Sequence, residues 1–339
     1  MKNQIKELPY VSIIVPCYNE ENTIGPLLEA IKKQNYPLEK LEVVISDAIS
    51  SDGTKEKILE FSRKNQTPKV VLVNNPKQTI PSGVNIAAEN ANGEILVRLD
   101  AHSEPNSDYV KISVDLLTTH KADNVGGIWE IHPGETTCIA KAIAKSGAHP
   151  LGVGDAKYRV SSKAQYTDTV PFGAFYKNKF NQIGCFDETL LANEDYEFNA
   201  RLRKHGGRIW LDPRIKSKYY SRKTIKDLAK QYWGYGFWKV KMLLRYPETI
   251  RIRQAIPPLF TASVGFLVIL SLFIPFARII LRVELGAYIL SVILVGIVTT
   301  TTQREFCFLL MPFAIITMHF SWGSGFIFSL MDTLFNINK

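Results

Sequence analysis

The stretch Ile95-Leu96-Val97-Arg98-Leu99-Asp100-Ala101-His102 sets a carboxylate and, two residues on, an imidazole at the end of an apolar run. A run of branched apolar residues reads as a buried strand. At the frayed end of a strand the side chains of Asp100 and His102 can converge on one ion. Carboxylate plus imidazole suits Mn²⁺, with Mg²⁺ as the other choice. A solvated strand end with polar punctuation accounts for the same residues, so the pattern alone leaves both readings open. Further acids cluster after two earlier apolar runs: Glu20 and Glu21 follow Val11–Pro16, and Asp47 and Asp52 follow Leu41–Ile45.

The elements that would position these groups follow from periodicity. Residues 10–16, 41–45, 70–73 and 95–99 read as strands, and 24–31, 55–64 and 81–90 as intervening helices. Strand alternating with helix at this pace means βαβ units and a largely parallel sheet, an α/β fold. Ligands of such sheets sit at the carboxyl ends of the strands, near a switch in strand order. The loops Pro16–Glu20, Ser46–Gly53 and Asp100–His102 should therefore line one crevice. Beyond Asp108 the pattern is mixed. Helices are expected over 108–119, 137–145 and from Asn193 to His205, and strands over 125–129 and 208–211.

The chain has 339 residues, 46% hydrophobic and 22% charged, with a formal net charge of +9. The two classes are not evenly mixed. Residues 1–250 look like a soluble domain, while three apolar runs, 255–277, 285–302 and 306–331, approach or exceed the about 20 residues needed to cross a bilayer. Two to three membrane helices are expected over 255–331. An amphipathic, aromatic-rich helix at about 225–245 fits the membrane surface, and an ordinary packed helix equally well. Much of the basic excess lies in Arg201 to Arg253, which suits an anionic leaflet. No nucleic-acid module signature is present. The polar stretch Met1–Pro9 lacks an apolar signal-peptide core, so the soluble part is expected in the cytosol. Cys17, Cys138, Cys185 and Cys307 show no CxxC spacing, which argues against a disulfide framework or a zinc site and suits a reducing compartment.

The ordered set Ser12-Ile13-Ile14-Val15-Pro16-Cys17-Tyr18-Asn19-Glu20, Ser46 to Thr54, Asp100-Ala101-His102 and Asn193-Glu194-Asp195 resembles family 2 glycosyltransferases with the GT-A fold. Val170 to Phe175 and Gly207 to Pro213 look like the succinoglycan-type branch, which makes exopolysaccharide. The resemblance covers about residues 10–245 and the apolar tail. It implies an inverting, membrane-bound transferase with its catalytic domain facing the cytosol. The donor implied is a nucleotide-diphosphate sugar, by expectation a UDP-sugar, and the acceptor a polyprenyl-linked glycan. Pro16, Tyr18, Glu20, Asp47 and Asp52 match positions that hold the nucleoside. Asp100 and His102 match the position that holds a divalent metal on the diphosphate, with Asp100 also facing the donor. Asp195 matches the catalytic base.

Three departures stand out. His102 replaces the usual second Asp of the metal motif. The acidic turn reads Asp47-Ala48-Ile49-Ser50, with only one of the paired acids. The Gln-x-x-Arg-Trp signature of processive synthases is not met around Gln231, which favours transfer of single sugars. An acid at a helix start, such as Asp195, also serves as a first-turn charge, and Asp47 and Asp52 as turn formers. His149, Lys157 and Arg159 flank a Gly-rich stretch and could hold phosphates. Transfer to a polyprenyl monophosphate, or a non-catalytic nucleotide-sugar-binding scaffold, are the other functions this pattern allows.

Overall fold

The computed structural model describes residues 7–119 and 122–335; Met1 to Lys6 of the polar N-terminal stretch lie outside them. In chain order the elements are β1 (Val11–Cys17), α1 (Ile24–Lys32), β2 (Leu41–Asp47), α2 (Thr54–Lys64), β3 (Lys69–Asn74), α3 (Ile80–Glu89), β4 (Ile95–Arg98), β5 (Ser103–Pro105), α4 (Tyr109–Thr119) and β6 (Asn124–His132). Then come α5 (Cys138–Gly147), α6 (Pro150–Val153), α7 (Lys157–Val160), β7 (Gln165–Tyr166), β8 (Ala174–Tyr176), α8 (Lys177–Ile183), α9 (Glu194–Lys204) and β9 (Ile209–Tyr220). The chain ends in α10 (Ile225–Leu243), α11 (Ile252–Ser271), α12 (Pro275–Gln303) and α13 (Met311–Phe335).

Among the described residues the strands form one nine-stranded sheet in the order β3-β2-β1-β4-β8-β6-β9-β5, with β7 on β9. The first four strands are parallel. β8 then runs antiparallel to both β4 and β6. This is the largely parallel α/β sheet that the alternating pattern predicts and the GT-A arrangement that the resemblance implies. β1, β2 and β4 are apolar on both faces because helices cover both, and their branched side chains form the core with Ile24, Leu27, Leu28 and Ile31 of α1. The chain steps from β1 outward to β2 and β3, then returns to place β4 on the other side of β1. The strand order therefore reverses between β1 and β4, the place where sheets of this kind take their ligands.

Two compact units result: Met1–Glu130 with Ser161–Tyr219, and Ile131–Val160 with Tyr220–Lys339. Residues 131–160 and 220–250 thus pack with the apolar C-terminal helices, so the boundary drawn by contact does not fall at 250. In the second unit α10 lies along α13, with Leu228 and Tyr232 against Ala314 and Met318.

Among the described residues three helices are long and apolar enough to cross a membrane: Ile252–Ser271, Pro275–Gln303 and Phe306–Phe335, the last including a 3₁₀ turn. The apolar runs had suggested other limits. The first run, 255–277, is cut at Leu272–Ile274, because Pro275 takes the first turn of a new helix, where its missing N–H costs nothing. The second run, the shortest in sequence, becomes the 29-residue α12. A disulfide joins Cys138 and Cys307, contrary to the expectation from cysteine spacing. The two are 169 residues apart in sequence, and only the packing of α5 against the turn before α13 brings them together. Cys17 and Cys185 are free thiols.

The antiparallel half of the sheet leaves no room for a side chain at Gly127 of β6: an added Cβ would lie 1.8 Å from the Ile215 carbonyl oxygen of β9. Gly127→Ala is expected to lower stability by at least about 1–3 kcal/mol, because a backbone atom cannot rotate away. A thermal-unfolding comparison with the parent protein checks this.

Candidate active site

The loops after β1 and β2 hold each other. The Asn19 N–H donates to Ser50 Oγ at 2.8 Å, and its side-chain oxygen accepts from the Ser51 N–H at 2.9 Å. The Glu20 N–H donates to Thr54 Oγ1 at 2.8 Å. Asp52 uses both carboxylate oxygens on this joint. Oδ2 accepts from the Glu21 N–H at 3.2 Å, and Oδ1 from the N–H and hydroxyl of Thr54 at 3.1 and 2.5 Å. The Thr54 hydroxyl is the main reason that the Asp52 carboxyl is held below its usual range. Asp52 is thus placed as a clasp between loops.

Asp47 differs. It is fully buried at the end of β2. Its Oδ2 accepts from the Ser50 N–H at 3.0 Å and faces Lys55 Nζ at 3.2 Å. Its Oδ1 is buried without a hydrogen-bond partner among the described residues, whereas a buried polar oxygen ordinarily has one. Tyr18 stands 55% exposed on the neighbouring loop. Pro16 packs so closely on the start of α3 that a Cβ on Gly83 would come within 3.1 Å of it.

The centre of the site is a residue that strand periodicity does not single out. Arg98, the last residue of β4, is buried, and its Nη2 donates to Asp100 Oδ1 at 3.2 Å and to Glu194 Oε1 at 3.1 Å. Its guanidinium also acts electrostatically on Asp195. One desolvated cation therefore serves three acids. Asn193, in the left-handed region at φ 63°, turns the chain so that Glu194 and Asp195 open α9. Burial raises both carboxyls against the pull of Arg98: Glu194 is pushed up to about 7, and Asp195 is raised as well. An acid so raised takes a proton more readily than an exposed Asp. The available signal was a lone Arg inside an apolar strand, since an Arg is almost never fully buried unless paired.

His102 Nδ1 lies 3.0 Å from Glu20 Oε1, which joins the loop after β1 to that after β4 across the switch in strand order. Glu20 also accepts from the Thr23 hydroxyl. These bonds outweigh burial and hold its carboxyl below its usual range. The structure thus gives Asp100 and His102 different partners, Arg98 and Glu20. Among the described residues no three His, Cys, Asp or Glu side chains gather as a metal cage. The pair nevertheless fits a divalent cation whose other ligands are phosphate oxygens and water. A carboxylate beside one imidazole nitrogen is the arrangement found behind most metal-bound histidines. Tyr219 approaches the His102 ring at 6.3 Å between centroids and stacks on Trp129 at 4.3 Å. His149, Lys157 and Arg159 belong to the second unit.

The sequence model described as "Glycosyl transferase family 2" matches residues 12–183, just over half of the chain. The succinoglycan biosynthesis protein ExoA of Rhizobium meliloti is 29% identical over 322 residues, 94% of each chain. A dolichyl N-acetyl-alpha-D-glucosaminyl phosphate 3-beta-D-2,3-diacetamido-2,3-dideoxy-beta-D-glucuronosyltransferase of Methanococcus voltae is 28% identical over 324 residues, covering 94% of this chain and 96% of its own. Among solved structures, the mannosyltransferase PcManGT from Pyrobaculum calidifontis, in complex with GDP-Man and Mn²⁺, is similar with a TM-score of 0.62. It is 17% identical, and the match covers 98% of this chain and 89% of that one.

Removing the guanidinium while leaving its acids is the most direct test of this centre. Arg98→Met is expected to destabilise the fold by about 3–5 kcal/mol, the usual cost of orphaning buried charge. Adding Glu194→Gln should recover part of that loss. A double-mutant cycle in thermal unfolding measures the coupling.

Proposed function

The chain belongs to glycosyl transferase family 2, and from that membership we propose that it is an inverting, metal-dependent transferase acting at the cytosolic face of a membrane. It moves a sugar from a nucleotide-diphosphate sugar, a UDP-sugar in our reading, to a hydroxyl of a polyprenyl-linked glycan. Its product belongs to a surface polysaccharide or a lipid-linked glycan. The names of the two relatives, a succinoglycan biosynthesis protein and a transferase acting on a dolichyl-phosphate sugar, support this class of acceptor. The neighbour with GDP-Man and Mn²⁺ supports a nucleotide-sugar donor and a metal.

The observation that carries the reading is Asp195: a half-buried carboxyl of raised affinity for protons, at a helix start, under the electrostatic pull of the Arg98 guanidinium that pairs with Asp100. The acceptor oxygen attacks the anomeric carbon as the bond to the diphosphate breaks. The configuration inverts, and the acceptor's proton passes to Asp195. Asp47 receives a donor group of the nucleoside on its unpartnered Oδ1, Pro16 and Tyr18 border the nucleoside, and Asp52 and Glu20 keep the two loops in place. Asp100 and His102 hold the divalent cation, which would supply Lewis-acid relief of charge on the leaving diphosphate.

Asp195→Asn is expected to lower kcat by about 10²–10⁴-fold while the donor dissociation constant stays within a few-fold. The base works only when ionised. Because its folded-state pKa is raised, the acid limb of kcat/KM should lie above the ordinary Asp range, with activity falling as the pH drops through it. An equal loss of donor binding and rate would assign Asp195 to binding. Steady-state assays across pH, with membranes, labelled nucleotide sugars and lipid extract, decide the matter. After mild acid, label released within an oligosaccharide marks an O-glycosidic bond to a lipid-linked glycan; label released as the free monosaccharide marks transfer to a lipid monophosphate.

Glu20→Gln keeps the shape but not the charge that fixes the His102 proton. Metal affinity in the presence of nucleoside diphosphate should fall about 10–100-fold, read by Mn²⁺ electron paramagnetic resonance. His102→Ala should lose at least as much. Unchanged Mn²⁺ binding in both variants would remove His102 from the metal site.

A further inference from the structure

α13 is apolar and 25 residues long, enough for a bilayer, yet both its ends touch chain that precedes the first apolar helix. At its start, Met311 and Ile315 pack with Ala142 of α5. The turn leading into it is tied to α5 by the Cys138–Cys307 disulfide, and Glu305 faces Lys141 at 3.5 Å. At its end, buried Asp332 pairs with Lys241 of α10 at 2.9 Å. Between these points Leu228 and Tyr232 pack with Ala314 and Met318. Two glycines bring the backbones together: a Cβ on Gly236 would lie 2.1 Å from the Trp322 carbonyl oxygen, and one on Gly325 2.2 Å from that of Trp233. Positions 228, 236 and 241 thus match 318, 322 and 332 in order, so α10 and α13 run parallel along most of their length.

Neither α5 nor α10 can be a crossing helix. α5 has ten residues, too few to span hydrocarbon. α10 carries Lys226, Asp227, Lys230, Lys239 and Lys241 in 19 residues, and charged side chains are rare inside a bilayer. Among the described residues no helix before Ile252 is apolar and long enough to cross. The chain up to Arg251 therefore stays on one side. A helix held at both ends by that chain does not cross either.

We propose that α11 and α12 alone cross the membrane, as a hairpin with its tip at Leu272–Ile274, and that α13 lies along the membrane surface beside α10. The end of α13 is then on the same side as all the chain that precedes α11. The two helices expose Trp233, Phe313, Phe328, Leu334 and Phe335, the kind of apolar and aromatic face that settles at the headgroup boundary. Charge agrees. Segments 131–160 and 220–254 hold 13 Lys and Arg against 4 Asp and Glu, an excess that equals the +9 of the whole chain. The fit is to an anionic lipid surface.

The test is side-specific labelling of the full-length protein with a membrane-impermeant maleimide, in a Cys185→Ser background. Single cysteines are introduced at exposed positions: Lys64→Cys in the first unit, Phe273→Cys at the hairpin tip and Phe335→Cys at the end of α13. Positions 64 and 335 should label together from one face, and 273 only from the other. Labelling of 335 from the same face as 273 would mean that α13 crosses and would overturn the proposal. Labelling of 273 with 64 would overturn the hairpin. Neither readout depends on the transferase reaction, so a failure here leaves the proposed function standing, and the converse.

Discussion

The site depends on one buried guanidinium. Arg98 ends a central strand, and desolvation of its charge is tolerated only because acids meet it. Those acids come from places far apart in sequence: Asp100 two residues on, Glu194 and Asp195 almost a hundred residues later. Three carboxyls around one cation leave an excess of negative charge. Burial is the main reason that Glu194 and Asp195 bind protons more tightly than exposed acids do; Arg98 opposes it and the neighbouring acids add to it. The same arrangement fixes where β4 ends relative to the start of α9. The interaction that positions these elements also sets the charge around Asp195.

The sheet was legible in the sequence to the extent that its determinants are local. Branched apolar runs gave β1, β2 and β4, and helical spacing gave α1 to α3 within a residue or two. The meeting of the loops after β1, β2 and β4 followed from the βαβ order. Arg98 was not legible, because its role lies in a pairing across 96 positions that no periodicity encodes. The Glu20–His102 bond, across 82 positions, was hidden for the same reason; the motif showed both residues but not that they would face each other. The antiparallel strands were harder still. β8 has three residues and takes its place from pairing with β4 and β6.

The C-terminal region separates composition from placement. Apolar runs report that a segment tolerates hydrocarbon; they do not report what covers it. Thr-rich residues at the end of α12 made that run look weak, yet Thr299 and Thr300 are buried within this 29-residue helix. Pro275 was the available signal for the break between α11 and α12, since Pro favours the first helical turn. The cysteine spacing misled for a related reason. Absence of a local motif excludes a zinc knuckle, but it carries no information about two thiols that meet only when α5 packs on the turn before α13.

Acids that share a motif do not share a task. Asp52 has given both oxygens to backbone and hydroxyl donors, and Glu20 binds an imidazole and a hydroxyl, so their charge is spent on holding loops and orienting His102. Asp47 keeps one buried oxygen unpartnered, and that oxygen is the one a ligand can use. The two loops carry backbone strain as well. Asn19 and Ile49 both sit at positive φ, 52° and 60°. For a β-branched residue such as Ile49 that region is unfavourable, at a cost of order 1–3 kcal/mol. The bonds from Asn19 to Ser50 and Ser51 hold both loops in this shape. The two loops are therefore held in one shape by their own bonds, and on the reading proposed above a donor's binding energy need not be spent on closing them.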